Sequence, residues 1–172
     1  MHRWLSGNDE SQKRGRIVLE ESATDSYQNL LFSILAFRRI AGKYPRTVTV
    51  ITHAFKERRF LELHAKAIHW PPHRIRLQGI NPPFSAVELA EAVHGEQTRG
   101  YGAFERDLYG AGGVLAAKRK ARNWDEEKTF PSLCQGVEGV VQRLLRWTGG
   151  SYGNEIFPEK LPWEDDEDGI FS

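Results

Sequence analysis

Apolar and polar positions along the chain fall into blocks that alternate between two periods. "RIVLE" (16–20) is a short apolar run with the character of a buried strand, ending at Glu20-Glu21. "TDSYQNLLFSILAFRRIAGKYP" follows with helical spacing: Leu30, Leu31, Ile34, Leu35 and Phe37 form one broad apolar surface. Asp25 with Gln28 three residues on reads as a capping pair, and Gly42 followed by Pro45 reads as the stop. "TVTVIT" (47–52) is β-branched and apolar at every second position or better, as in a strand covered on both faces. The period returns to helical from about Phe55, where Phe60, Leu61, His64, Ala67 and Ile68 oppose a charged side. Pro71-Pro72 end that helix and "RIRLQGI" (74–80) predicts another strand. Asn81-Pro82-Pro83 then turns into "SAVELAEAVHGEQ", a helix with Ser85 as cap and Glu88 at capping-box spacing.

Strand, helix, strand, helix, strand, helix within so short a span predicts βαβ units. The expected fold class is α/β: a Rossmann-like three-layer arrangement, with a short parallel sheet of about three strands flanked by helices. The chain divides into a flexible N-terminus (1–15), an α/β domain (16–150) and an acidic tail (151–172) carrying Trp163 as an anchor. Within the domain, 98–135 is Gly-rich and reads as irregular, and "VEGVVQRLLRW" (137–147) reads as a last amphipathic helix.

Composition narrows the function classes. At 172 residues the chain suits one domain with a sizeable core. A formal net charge of +1 provides no global basic field for nucleic acid or an anionic membrane. The basic run "KRKAR" (118–122) is read as a solvated segment in preference to a nucleic-acid or nuclear-import patch. No apolar run approaches the ~20 residues that span a bilayer, and the start lacks a secretory h-region. The single cysteine, Cys134, precludes an internal disulfide and suits a reducing compartment. The expected location is therefore cytoplasmic, with a small-molecule ligand, no nucleic acid and no membrane as partners.

Candidate chemistry gathers at the strand ends, where open parallel sheets bind ligands. Glu20-Glu21, Thr52-His53 and the stretch ending in Asn81 each precede a helix whose first N–H groups suit phosphate or carboxylate. Lys56 and Arg59 add full charges, either to an anionic ligand or to a solvated helix face; cations in a first turn oppose the helix dipole, which puts the ligand on a level with the solvated face. Ser26 and Asn29, in the first turn of their helix, serve either a ligand or a capping network. Of six histidines, His64, His69 and His73 lack the spacing of a metal site, and no metal is expected. His64 is read as packed beside the sheet with one nitrogen hydrogen-bonded. No GxSxG elbow, Walker A loop or GxGxxG follows a strand.

The stretch "LEESATDSYQNLLFSI", followed by "TVTVITHAFKERRFLELHAKAI" and "GINPP", resembles the domain-of-unknown-function family typified by bacterial YdcF and SanA. Its fungal-type branch is the nearer. The resemblance covers roughly residues 16–83, with weaker similarity through "FERDLYG", "KRKARN" and the "LPW" tail. It implies a Rossmann-like fold in which Glu20, Ser26 and Asn29 match the family's E…S/T…N motif, while Thr52 and Arg59 match its T-S…H-x-x-R motif. His53 stands where bacterial members carry Ser, and Lys56 where they carry His; an anion site survives those departures better than chemistry that depends on the His. Members of this family begin with an earlier strand–turn–helix half that is missing here, so a shortened gene product with an exposed sheet edge, open to self-association, is the expectation.

The function so implied is binding of a nucleotide-like or anionic ligand, S-adenosylmethionine among the candidates, through Glu20, Ser26, Asn29, Thr52, His53, Lys56, Arg59 and Asn81. Two alternatives accompany it. One is a transferase or hydrolase using the same site, with Glu20 the only candidate general base. The other is a truncated, non-catalytic interaction protein.

Overall fold

The computed structural model describes residues 17–165; the polar N-terminus at 1–15 lies outside them, as does the end of the acidic tail. Helix α1 (Ser26–Ala41) begins where its sequence signals place it. The Asp25 carboxylate accepts the Gln28 backbone N–H at 2.9 Å, whereas the Gln28 side chain reaches one residue further back, to the Thr24 N–H at 2.8 Å. Gly42 ends the helix at φ 73°, a left-handed conformation that glycine adopts without a Cβ penalty. The buried stripe Leu30, Leu31, Ile34 and Leu35 lies in the core, each side chain contributing ~1.5–3 kcal/mol of burial.

Strand β1 (Val48–Thr52) pairs in parallel with β2 (Ile75–Gly79), in the register Val48↔Ile75 through Thr52↔Gly79. Between them runs helix α2, made of a 3-10 turn Ala54–Lys56, a π-helical stretch Arg59–His64 and a final α-turn Ala65–Ala67. This β1–α2–β2 unit makes the protein α/β. The sheet has two strands among the described residues, not three. Residues 17–20, read as a strand, form none, and Ile17, Val18 and Leu19 are exposed. A short apolar run carries no information about whether a neighbouring strand offers it a ladder, and none does here. Val48, Val50, Ile75 and Leu77 face the core, while Thr49, Ile51, Arg76 and Gln78 face outward and are exposed.

Helix α3 (Ala86–Gly95) opens with the full Ser85/Glu88 capping box. It runs through a second π stretch, Glu96–Tyr101, into α4 (Gly102–Arg106). The segment read as irregular, 98–135, is largely helical: α5 (Gly113–Ala121) and α6 (Glu126–Leu133) follow, the latter capped by Asp125. Apart from Gly100, inside the π stretch, its glycines sit at helix starts and turns, so glycine content there marks boundaries rather than loops. Helix α7 (Gly139–Arg146) completes the helical set.

The chain beyond α7 is more than a solvated extension with one anchor. Phe157, Leu161 and Trp163 are all buried. The Tyr109 hydroxyl accepts the Phe157 N–H at 2.9 Å and donates to the Ala67 carbonyl at 3.0 Å, and the Trp163 indole N–H donates to the Ile68 carbonyl at 2.7 Å. Those bonds tie the segment to the end of α2. Among the described residues no helix is long and apolar enough to cross a membrane.

Candidate functional site

The carboxyl end of β1, the start of α1 and the first turns of α2 converge on a cleft of about 410 Å3. Five of the residues singled out from the sequence line it: Ser26, Asn29, Thr52, Lys56 and Arg59. Three further cations join them from elements distant in sequence: Arg99 from the second π stretch, and Lys118 and Arg122 from α5 and its end. Against these five charges stands one lining carboxylate, Asp25. It is already engaged, capping α1 and accepting Arg119 Nε at 2.6 Å. Even with Glu96 behind the lining beside Arg59, the cleft carries an excess of positive charge inside a chain that is nearly neutral overall.

Arg59 is mostly buried, and its Nε lies 3.1 Å from a Glu96 carboxylate oxygen. The two charges attract, but their alignment leaves both Arg59 Nε and Glu96 Oε1 without a hydrogen bond. Burial pulls the Arg59 guanidinium below its ordinary value and pushes the Glu96 carboxyl up, each opposed by the other's charge. Lys56 is lowered first by burial and then by Arg59 beside it. An anion entering the cleft relieves that crowding, since an opposite charge favours the protonated amine.

At the cleft floor Ser26 Oγ lies 2.7 Å from His64 Nε2. His64 is fully buried, ringed edge-on by Tyr27, Phe60 and Phe104, with its Nδ1 unpartnered. The spacing is that of a nucleophile and its base. The environment is not: burial, then Arg59 and Arg119, hold the imidazole well below its usual range. His64 fixes the serine hydroxyl and is a poor proton acceptor. The sequence reading of His64 as a packed, singly bonded histidine agrees with this geometry.

A pH dependence follows. The unfolded chain protonates this histidine near pH 6.5, whereas the folded chain refuses the proton until well below that. Its contribution to stability is complete above ~6.5 and is lost as pH falls toward the lower folded value, at up to about 1.4 kcal/mol per pH unit. Urea midpoints measured from pH 7 to pH 5 should show that slope, and His64→Phe should flatten it.

Glu20, His53 and Asn81 lie outside the cleft lining and serve the backbone. Glu20 accepts the Ser22 and Ala23 N–H groups at 2.7 and 3.1 Å; with no strand at 17–20, it is not a strand-end residue. Asn81 accepts the Ala54 N–H at 2.9 Å, and His53 Nδ1 lies 3.2 Å from the Ile80 carbonyl, stacked on Phe55. Both tie the end of β2 to the turn after β1. That turn fits only because residue 79 is glycine, where a Cβ would lie 2.5 Å from the Ala54 Cβ. Among the described residues no three His, Cys, Asp or Glu side chains come together as metal ligands.

Arg99 offered no sequence signal. Lys118 and Arg122 did, being one helical turn apart within the basic run read as solvated. The run divides: those two line the cleft, while Arg119 turns inward to Asp25 and the Tyr109 carbonyl.

Fold and cleft define an α/β protein with a cationic pocket at the end of a parallel strand. The chain is similar to a Saccharomyces cerevisiae protein, "Uncharacterized protein YOR238W", with 34% identity over 122 residues, which is 67% of this chain and 40% of the yeast protein. It thus spans about two fifths of the length of the curated relative it matches. No family model matches the chain, and no solved structure matches it.

Proposed function

We propose that the protein binds a small, phosphate-bearing or nucleotide-like anion in this cleft, in a Rossmann-like setting akin to the YdcF and SanA family. The observation that carries this reading is the convergence of Lys56, Arg59, Arg99, Lys118 and Arg122 on one cleft beside the α1 N-terminus, where Asp25 is already paired with Arg119 and Glu96 offsets a single charge, that of Arg59. Asn29 and the Ser26 hydroxyl supply polar contacts, and Lys56 and Arg59 supply charge. The volume falls within the ~300–1,000 Å3 of ligand sites. S-adenosylmethionine suits the lining less well than a nucleotide phosphate, because its sulfonium is itself a cation. With Glu20 outside the cleft and Asp25 engaged, the lining supplies no free carboxylate base, which favours binding over hydrolysis or transfer.

The test is thermal unfolding with ATP, inorganic phosphate and S-adenosylmethionine in parallel. A ligand at ~100 times its dissociation constant adds about 2.7 kcal/mol, so the phosphate compounds should raise the melting temperature by several degrees. Lys56→Ala should weaken that binding roughly 10- to 100-fold, the worth of a charge-assisted hydrogen bond. A melt unmoved by ATP and phosphate at millimolar concentration would refute the reading.

A second reading rests on the sheet. Each strand has one neighbour among the described residues, and the outward face presents Ile51, with Ile80 just past β2, 64% and 58% exposed. Such a face and its edges favour self-association, which light scattering across a concentration series would reveal as a rising mass.

A further inference from the structure

A second cavity, about 850 Å3, adjoins the cationic cleft and shares three of its walls: Arg99, Leu115 and Lys118. Its lining is more apolar, although cations reach it as well. Ala103, Leu115, Val114 and Tyr152 make most of its surface apolar, and the last two are 78% and 83% exposed at its rim. Two of its polar side chains are already engaged: Asp107 accepts the Ala111 and Gly112 N–H groups, and Thr98 donates to the His94 carbonyl. Arg106, with Arg99 and Lys118, brings charge to its wall, but the rest of the lining is mostly apolar, and a hydrocarbon group needs no hydrogen-bond partner there.

We infer that the two cavities form one bipartite site whose ligand is a phosphate ester of a bulky apolar group. The phosphate sits among Lys56, Arg59 and Lys118, and the organic group covers Val114 and Leu115. The inference rests on the anion reading of the first cleft and adds the chemical class of what the anion is attached to. Leu115 is 3% exposed and faces both cavities, so a ligand passing it meets a continuous wall. Arg99 and Lys118, at the junction, are placed to hold the ester end of the phosphate.

The experiment is isothermal titration of the full chain with inorganic phosphate, butyl phosphate, octyl phosphate and AMP. Each added methylene buried in the cavity should tighten binding about two- to fourfold, placing octyl phosphate more than tenfold below butyl phosphate in dissociation constant. Val114→Asn should reduce that ratio severalfold. Phosphate binding with no gain from either alkyl chain overturns the inference and leaves the anion reading standing. AMP binding more tightly than octyl phosphate overturns it in favour of a hydrogen-bonded base. Octyl phosphate binding undiminished by Lys56→Ala places its phosphate outside the cationic cleft and also overturns it. Silence from all four compounds overturns both readings.

Discussion

Trp163→Ala is expected to destabilise the protein by about 3–5 kcal/mol, the range for deleting a large buried aromatic. Trp163 is 1% exposed, its ring lies 5.7 Å from that of Trp70, and the edge of Tyr44 meets it at 5.0 Å. Its indole N–H satisfies the Ile68 carbonyl at the end of α2, and Arg74 donates to its own carbonyl at 2.8 Å. The substitution opens a cavity between the chain end and the β1–α2–β2 unit and leaves a buried carbonyl unpaired. Urea midpoints would measure the loss. Trp163→Phe separates the two causes: it keeps most of the packing but orphans the carbonyl, at a cost of about 1–3 kcal/mol. A change near zero for the alanine variant would mean that residues 155–165 contribute nothing to the fold.

Asp25→Ala should be comparably severe. The carboxylate holds three groups: the Gln28 N–H as cap, Arg119 by a 2.6 Å ion pair, and through Arg119 the Tyr109 carbonyl. Losing the cap alone costs ~0.5–2 kcal/mol. Leaving Arg119 buried without a counter-charge raises the total to about 3–5 kcal/mol. Asp25→Asn keeps a capping oxygen and should recover the cap contribution only. Adding Arg119→Met to Asp25→Ala should restore part of the loss, because the stranded charge is then removed; a double variant no more stable than the single one would refute this account. Denaturant unfolding of the four proteins at pH 7 is the measurement.

Asp25 neutralises Arg119, so its removal adds one uncompensated charge beside the cleft cations.

How much of this was legible beforehand differs element by element. The period of the apolar residues placed α1, β1, β2 and α3, because caps and stops are local: Asp25, Gly42, Pro71-Pro72 and Ser85 act within a few residues of themselves. The same reasoning brought Thr52, Lys56 and Arg59 to the end of β1; Ser26 and Asn29 join them although the strand expected before α1 does not form, and Glu20, His53 and Asn81, expected at the same edge, lie outside the cleft. It failed for "RIVLE", where strand formation depends on a partner that the run does not encode. It failed for 98–135, whose helices are stabilised by packing against α1 and α2 more than by propensity.

Those two limits share a cause. A chain specifies by itself what contacts of short sequence separation decide, and here that was the helix boundaries, the parallel pair and half of the cationic cleft. Only the tertiary structure could bring Arg99, Lys118 and Arg122 to Lys56, turn Arg119 onto Asp25 across 94 positions of chain, and close Trp163 over Ile68 across 95. Charge has no periodicity that says which side chains of a basic run will face inward, and burial of an acidic tail is decided by the apolar surface it meets.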